Sequence, residues 1–221
     1  MSQMPAISMQ KLLHTQKNKR GISGNKINEI LWSDKKEELV NNSRNVNISK
    51  LRSLLEKVGD IKIINNNKYF SICFAENFAV DYIEILNSFR KTRKSIHLDT
   101  LKSMLHYLTT GKLLQNKDDE WLDKFKNDFS NETIDILYLF LDRNDLDNKV
   151  VVKICSIILQ YDHLNERAKL RKCQILYREG KKGLAKKAFD DFAEDYKKSL
   201  GIDYKYSFFE FLKADEGSVL S

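Results

Sequence analysis

The stretch Ile22-Ser23-Gly24-Asn25-Lys26-Ile27-Asn28-Glu29-Ile30-Leu31-Trp32, with Asn42 to Gly59 (NSRNVNISKLRSLLEKVG) and Ile61 to Phe74 (IKIINNNKYFSICF) behind it, decides the fold of the first third of this chain. Ser23 is a residue type that caps helix N-termini, and Ile27, Ile30 and Leu31 follow at i, i+3 and i+4. The spacing predicts a short amphipathic helix over Gly24–Trp32. The polar run Ser33–Glu38 reads as a connection. A longer helix is expected from Asn42 to Val58, with Ile48, Leu51, Leu54, Leu55 and Val58 on one stripe and Gly59 as its stop. After Gly59 the period falls to two. Ile61 and Ile63, then Tyr69, Ser71 and Cys73, alternate along Ile61–Ile64 and Tyr69–Phe74, and Asn65-Asn66-Asn67 supplies a turn.

Two helices followed by a hairpin is the ordering of the second half of a winged helix-turn-helix. Beyond it the chain reads as helix throughout, over Val80–Lys91, Leu98–Thr110, Asp118–Asp128, Asn131–Leu141, Asp147–Tyr161, Leu164–Gly180, Lys182–Leu200 and Tyr206–Lys213. Short breaks between helices of this kind imply stacked antiparallel pairs, an α-solenoid-like unit. Gly180, Ala185, Ala188 and Phe189 resemble the small-residue packing of tetratricopeptide (TPR) helices. With Gly (8) and Pro (1) scarce, the expectation is a mainly α protein. It comprises a winged helix-turn-helix with a small hairpin wing over residues 1–76 and a TPR-like helical domain over 77–221.

The net charge of +7 is unevenly placed. Up to Val80 thirteen Lys and Arg face seven Asp and Glu, so +6 of it lies in the first third. Lysine and arginine that neutralise phosphates drive nucleic-acid binding, and the placement points to a polyanion. No run of about 18 apolar residues is present to span a membrane, and Met1–Gln10 lacks the order of a secretory signal. Cys73, Cys155 and Cys173 are odd in number and lack metal-ligand spacing, which reads as reduced thiols in a cytoplasmic protein. Enzyme chemistry has no foothold. There is no phosphate-cradling Gly-rich loop or zinc helix, His14, His97, His106 and His163 are dispersed, and no catalytic, cofactor or metal residues are expected. The acidic clusters Asp118-Asp119-Glu120 and Asp190-Asp191 suit helix first turns or solvated faces, and Trp32 and Trp121 suit core anchors.

A helix that reads the major groove buries one side and presents short polar and basic side chains on the other. With Leu51 centred on the buried side, about 100° per residue puts Asn45, Ser49, Arg52, Ser53 and Glu56 opposite, with Val46, Lys50 and Lys57 on a flank. Asn pairs with adenine and Arg with guanine, while Ser and Lys serve bases or phosphates. Arg44 falls on the buried side of this wheel, with capping or a phosphate as its role. The hairpin tip Asn65–Lys68 would be the wing, offering Asn66 and Lys68 to the backbone or minor groove.

The residues Ile27-Asn28-Glu29-Ile30-Leu31-Trp32-Ser33-Asp34 and Asn42-Ser43-Arg44-Asn45-Val46-Asn47-Ile48-Ser49-Lys50-Leu51-Arg52-Ser53-Leu54-Leu55 resemble two motifs of response-regulator-type winged helices. These are the L-x-x-x-L-W helix and the V-x-I-x-x-L-R-x-x-L recognition helix that occur in SARP (antibiotic regulatory protein) activators. Ile61–Ile72 resembles the wing, with Asn65-Asn66-Asn67-Lys68-Tyr69 where a Gly-Tyr pair is usual. Leu113–Phe125 and Leu164–Leu212, with Asn165-Glu166, Leu176–Gly180 and Leu200-Gly201-Ile202, resemble the bacterial transcriptional activator domain that follows. The resemblance implies a DNA-binding transcriptional activator without enzyme activity or cofactor. Double-stranded DNA would be the partner of Arg44, Asn45, Ser49, Lys50, Arg52, Ser53, Asn66 and Lys68. RNA polymerase, another regulatory protein or a second copy of the chain would be the partner of the helical domain, and this segment would make no membrane contact. The family's winged helices open with a small antiparallel sheet, for which Ser8–Lys17 leaves room only for a helix. The expectation is therefore an absent N-terminal sheet and a chain that is part of a larger protein such as a sensor. The alternative is a helical-repeat protein-interaction module with a vestigial winged helix.

Overall fold

The computed structural model describes residues 21–33, 37–57, 59, 61–74, 80–116 and 120–214. The helix expected over Ser8–Lys17, Val58, Asp118, Asp119 and the side chains of Glu120 and Trp121 lie outside the described residues. The chain is mainly helical with one small three-stranded antiparallel sheet, and it divides into two compact units, Met1–Ala79 and Val80–Ser221.

In the first unit a two-residue strand β1 (Ile22–Ser23) leads into helix α1 (Gly24–Leu31), whose N-cap is Ser23. Its hydroxyl accepts from the Lys26 N–H at 3.2 Å. Helix α2 (Glu37–Glu56) begins five residues earlier than the polar composition of its first turn suggested. The reason is that the apolar stripe runs on upstream through Val40, which is buried with Ile48, Leu51 and Leu55. Leu54, expected on that stripe, is 44% exposed. Strands β2 (Ile61–Asn66) and β3 (Tyr69–Phe74) form the hairpin. Its turn is only Asn67-Lys68, with φ of 49° and 66°, the two positive values that a two-residue type I′ turn requires.

The register Ile63↔Ile72 and Ile61↔Phe74 places directly opposed residues on one face. The inward residues of β3 are accordingly Phe70 and Ile72, while Tyr69 and Cys73, read above as an alternating set with Ser71, face outward. β1 pairs antiparallel with β3, Ile22 opposite Phe70 and Ser23 opposite Tyr69, which gives the strand order β1-β3-β2. Two residues are too few to show a period, so the sequence gives no sign of this strand. Its approach depends on Gly21, whose φ is +76° and where a Cβ would lie 2.3 Å from the Phe70 carbonyl oxygen.

The second unit is built from α3 (Asp81–Lys94), α4 (Leu98–Leu108), α5 (Glu120–Leu141), α6 (Asn148–Tyr161), α7 (Glu166–Arg178), α8 (Lys182–Leu200) and α9 (Phe208–Lys213). Consecutive helices pack as neighbours along α5, α6, α7 and α8; α3 packs on α4 and α5, and α9 rests on α7 and α8. One core gathers Phe89, Met104, Leu137, Phe140, Ile154 and Ile158, and a second gathers Leu170, Cys173, Ala185, Phe189, Phe208 and Phe211. The break expected between Asp128 and Asn131 is absent. Ser130 and Thr133 turn their hydroxyls back to the Lys126 and Phe129 carbonyls at 2.7 Å, so these polar side chains are satisfied within a continuous helix.

Helix α7 stops at Gly180, φ +78°. The Gly180 N–H donates to the Tyr177 carbonyl and the Lys181 N–H to that of Leu176, the bonding of a Schellman cap. Fully buried Ala185 then lets α8 close on α7, with the Cys173 thiol directed to its carbonyl at 3.6 Å. Asn165 ties α5 to the start of α7, since its Oδ1 accepts from both the Tyr138 hydroxyl and the Ala168 N–H. Among the described residues no helix is long and apolar enough to cross a membrane.

In a Trp121→Phe background, where Trp32 is the sole tryptophan, Gly21→Ala should destabilise the first unit by about 1–3 kcal/mol in denaturant titrations, because an L residue there is strained and collides with backbone. Gly183→Ala, within α8 and with nothing within 4 Å of its Cβ position, should instead stabilise the second unit by about 0.5–1 kcal/mol as read by circular dichroism.

Candidate functional site

The site follows from how α2 is pinned. Its inward line is Val40, Arg44, Ile48, Leu51 and Leu55, four apolar residues and one cation at three- and four-residue spacing. The sequence-level expectation gave Arg44 a capping or phosphate role. In the structure it is half-buried between α1, α2 and the sheet, where Nη1 donates to Asn28 Oδ1 at 3.3 Å, Nη2 reaches Asn45 Oδ1 at 3.5 Å, and the guanidinium lies 5.8 Å from the Phe70 ring centre. A Cβ on Gly24 would come within 2.7 Å of Nη1. Arg44 therefore packs the two helices together. A second link runs from Asn28 Nδ2 to Asn41 Oδ1 at 3.1 Å.

Arg52 is also engaged within the protein. Its Nε and Nη2 donate to the Ile63 carbonyl at 3.2 and 3.1 Å. β2 is an edge strand of the sheet, and the guanidinium covers a carbonyl that would otherwise stand open at that edge. Arg52, Glu56, Gly59, Lys62 and the β2 isoleucines line a groove of about 520 Å³. The ionisable groups among its described lining residues are Arg52, Lys62 and Glu56.

With the inward line fixed, the outward direction follows. Asn42, Val46, Ser49, Ser53 and Lys57 lie within about 40° of the direction opposite the buried stripe, Lys50 about 60° and Asn45 about 80° from it. All seven are exposed. Ser49, Lys50 and Ser53 of the expected set thus share one exposed surface, Asn45 lies at its margin, and Arg44 and Arg52 point elsewhere. Asn42 is an addition, which the wheel centred on Leu51 also places about 180° from the buried side.

Asn66 and Lys68 are exposed at the closed end of the hairpin. That end is fixed to α1, because the Gly24 N–H donates to the Lys68 carbonyl at 2.9 Å. Lys26, in the first turn of α1, pairs with Glu29 at 2.7 Å in solvent.

Among the described residues no group of His, Cys, Asp and Glu could hold a metal ion. His163 Nε2 lies 3.3 Å from the Ser199 hydroxyl. Cys73 is exposed whereas Cys155 and Cys173 are buried, and burial pushes the Cys173 thiol up to about 11. No protein-family model matches the chain, and no curated protein matches it.

Two outcomes follow. At pH 8 a thiol reagent should modify Cys73 alone in the native protein and all three cysteines after denaturation, since Cys173 stays protonated well above that pH. Arg52→Ala should lower the unfolding free energy of the first unit by about 1 kcal/mol through loss of the charge-assisted bonds to Ile63, and unchanged denaturant curves would rule out the latch.

Proposed function

We propose that the first unit is a winged helix-turn-helix that binds double-stranded DNA, with α2 in the major groove and the β2–β3 hairpin as a short wing against the backbone. The observation that carries this reading is the combination of the order β1-α1-α2-β2-β3 with a sheet ordered β1-β3-β2. Among the described residues that arrangement leaves the outer face of α2 uncovered and sets a hairpin beside the same helix pair. The exposed face matches what a groove-reading helix needs, with small amides and hydroxyls at its centre and the lysines Lys50 and Lys57 along one side. The placement of +6 of the net charge in residues 1–80 supports it independently.

In this reading the chain is a transcription regulator of the SARP kind. Ser49 and Ser53 face bases with Asn45 at the margin, Lys50, Lys57 and Lys68 face phosphates, and Asn66 steadies the wing. Arg44 and Arg52 hold the reading helix in place. The second unit is a TPR-like platform for a regulatory protein, RNA polymerase or a second copy. Its exposed Leu184, Leu200, Ile202 and Phe209, between 52% and 62% accessible, favour protein contact there. They also keep alive a second reading, in which the whole chain is a protein-interaction module.

Binding of a fluorescent duplex, titrated with salt, tests the proposal. The wild-type chain should bind at low salt and lose affinity steeply as salt rises, and Lys50→Ala with Lys57→Ala should reduce the slope of log K against log salt by about 2. Absence of duplex binding at every salt concentration would favour the interaction module.

A further inference from the structure

From the side chains that α2 offers and withholds, we infer that its DNA site is built on A·T pairs, with Val46 seated against a thymine methyl. The inference rests on the DNA-binding reading of α2.

Guanine is read in the major groove by a bidentate arginine or by a lysine, adenine by a bidentate asparagine or glutamine, and thymine by apolar contact with its C5 methyl. Both arginines of α2 are engaged by the protein, half-buried Arg44 with Asn28 and Asn45, and Arg52, exposed and about 100° from the outward direction, with the Ile63 carbonyl at the sheet edge. Glu56, the acid that could accept from cytosine, lines the groove beside Arg52 instead of the outward centre.

What remains at the centre is Asn42, Val46, Ser49 and Ser53. Val46 is 45% exposed, an apolar side chain that stands open among the described residues, with Asn42, Ser49 and Lys50 as its neighbours along the helix face. An isopropyl group in that position excludes water best against another methyl, and the major groove presents one only at thymine. Lys50 and Lys57 lie on the flank that would run along the phosphates. From Asn42 to Ser53 the helix rises about 16 Å, enough to face about five base pairs.

The test uses the full chain and selection from a library of random-sequence duplexes at moderate salt. Enrichment of sites with an A·T core is the expected result. The selected duplex is then synthesised with deoxyuridine in place of thymidine, which removes only the C5 methyl and leaves the minor groove unchanged. Wild-type affinity should fall about four-fold, the equivalent of one buried methyl group. Val46→Ala should bind thymidine and deoxyuridine duplexes alike, while Val46→Thr, which keeps one methyl, should retain part of the preference.

Enrichment of a G·C core would overturn this inference and leave DNA binding intact. So would an A·T core with no difference between thymidine and deoxyuridine, or a difference that survives in Val46→Ala. Failure to enrich any duplex would overturn the DNA reading itself. Because Val46 is exposed, the variants are expected to fold, and unchanged circular dichroism checks this.

Discussion

The burial of one side of α2 against the hairpin governs the first unit. Ile48, Leu51 and Leu55 share a core with Ile61, Ile63, Phe70 and Ile72, and Ile72 is wholly inaccessible. Because side chains alternate along a strand, the pairing of Ile63 with Ile72 decides in one step which residues of both strands enter that core. Once α2 is held by that line, the opposite side of the helix has no freedom left. The exposed row of Asn42, Val46, Ser49 and Ser53 is the geometric consequence of where the isoleucines and leucines went.

The two arginines of α2 show how a basic segment distributes its charge. Arg44 occupies a position of the apolar stripe, and its long stem and planar head fill space between α1 and Phe70. Arg52 bends toward the sheet edge, where a backbone carbonyl needs a donor. Each satisfies a polar or packing requirement of the fold through neutral amide and carbonyl oxygens, which leave its charge in place. Lysine keeps its ammonium in water on a flexible stem, a property suited to phosphates more than to base edges.

The second unit rests on different means. Its helices are stitched at their ends by local devices: Asp147 and Asn165 as N-caps, the Schellman turn at Gly180, and the capping box of Ser207 with Glu210. Between the ends, aromatic rings fill the space. Phe189, Phe192, Tyr204 and Phe211 lie in edge, tilted and stacked contacts of 5.0–6.1 Å between ring centres. The Tyr204 hydroxyl closes the cluster on Glu166 at 2.9 Å, and the combination of burial and that carboxylate holds its ionisation far above the ordinary tyrosine range.

Local chemistry alone determined much of this. Ser23 as a cap, most of the helices of the second unit and the existence of a hairpin after Gly59 were legible because each depends on residues close in the chain. Periodicity also placed Ser49, Lys50 and Ser53 on one exposed helix face. The remainder required tertiary structure. β1 is visible only through its partner strand, the inward residues of β3 are set by pairing with β2, and the start of α2 is fixed by what Val40 packs against. The engagement of Arg44 and Arg52 lay beyond reach for the same reason. A helical wheel gives the direction of a side chain, but whether a flexible guanidinium stays in solvent or turns to Asn28 or the Ile63 carbonyl depends on acceptors brought close by folding.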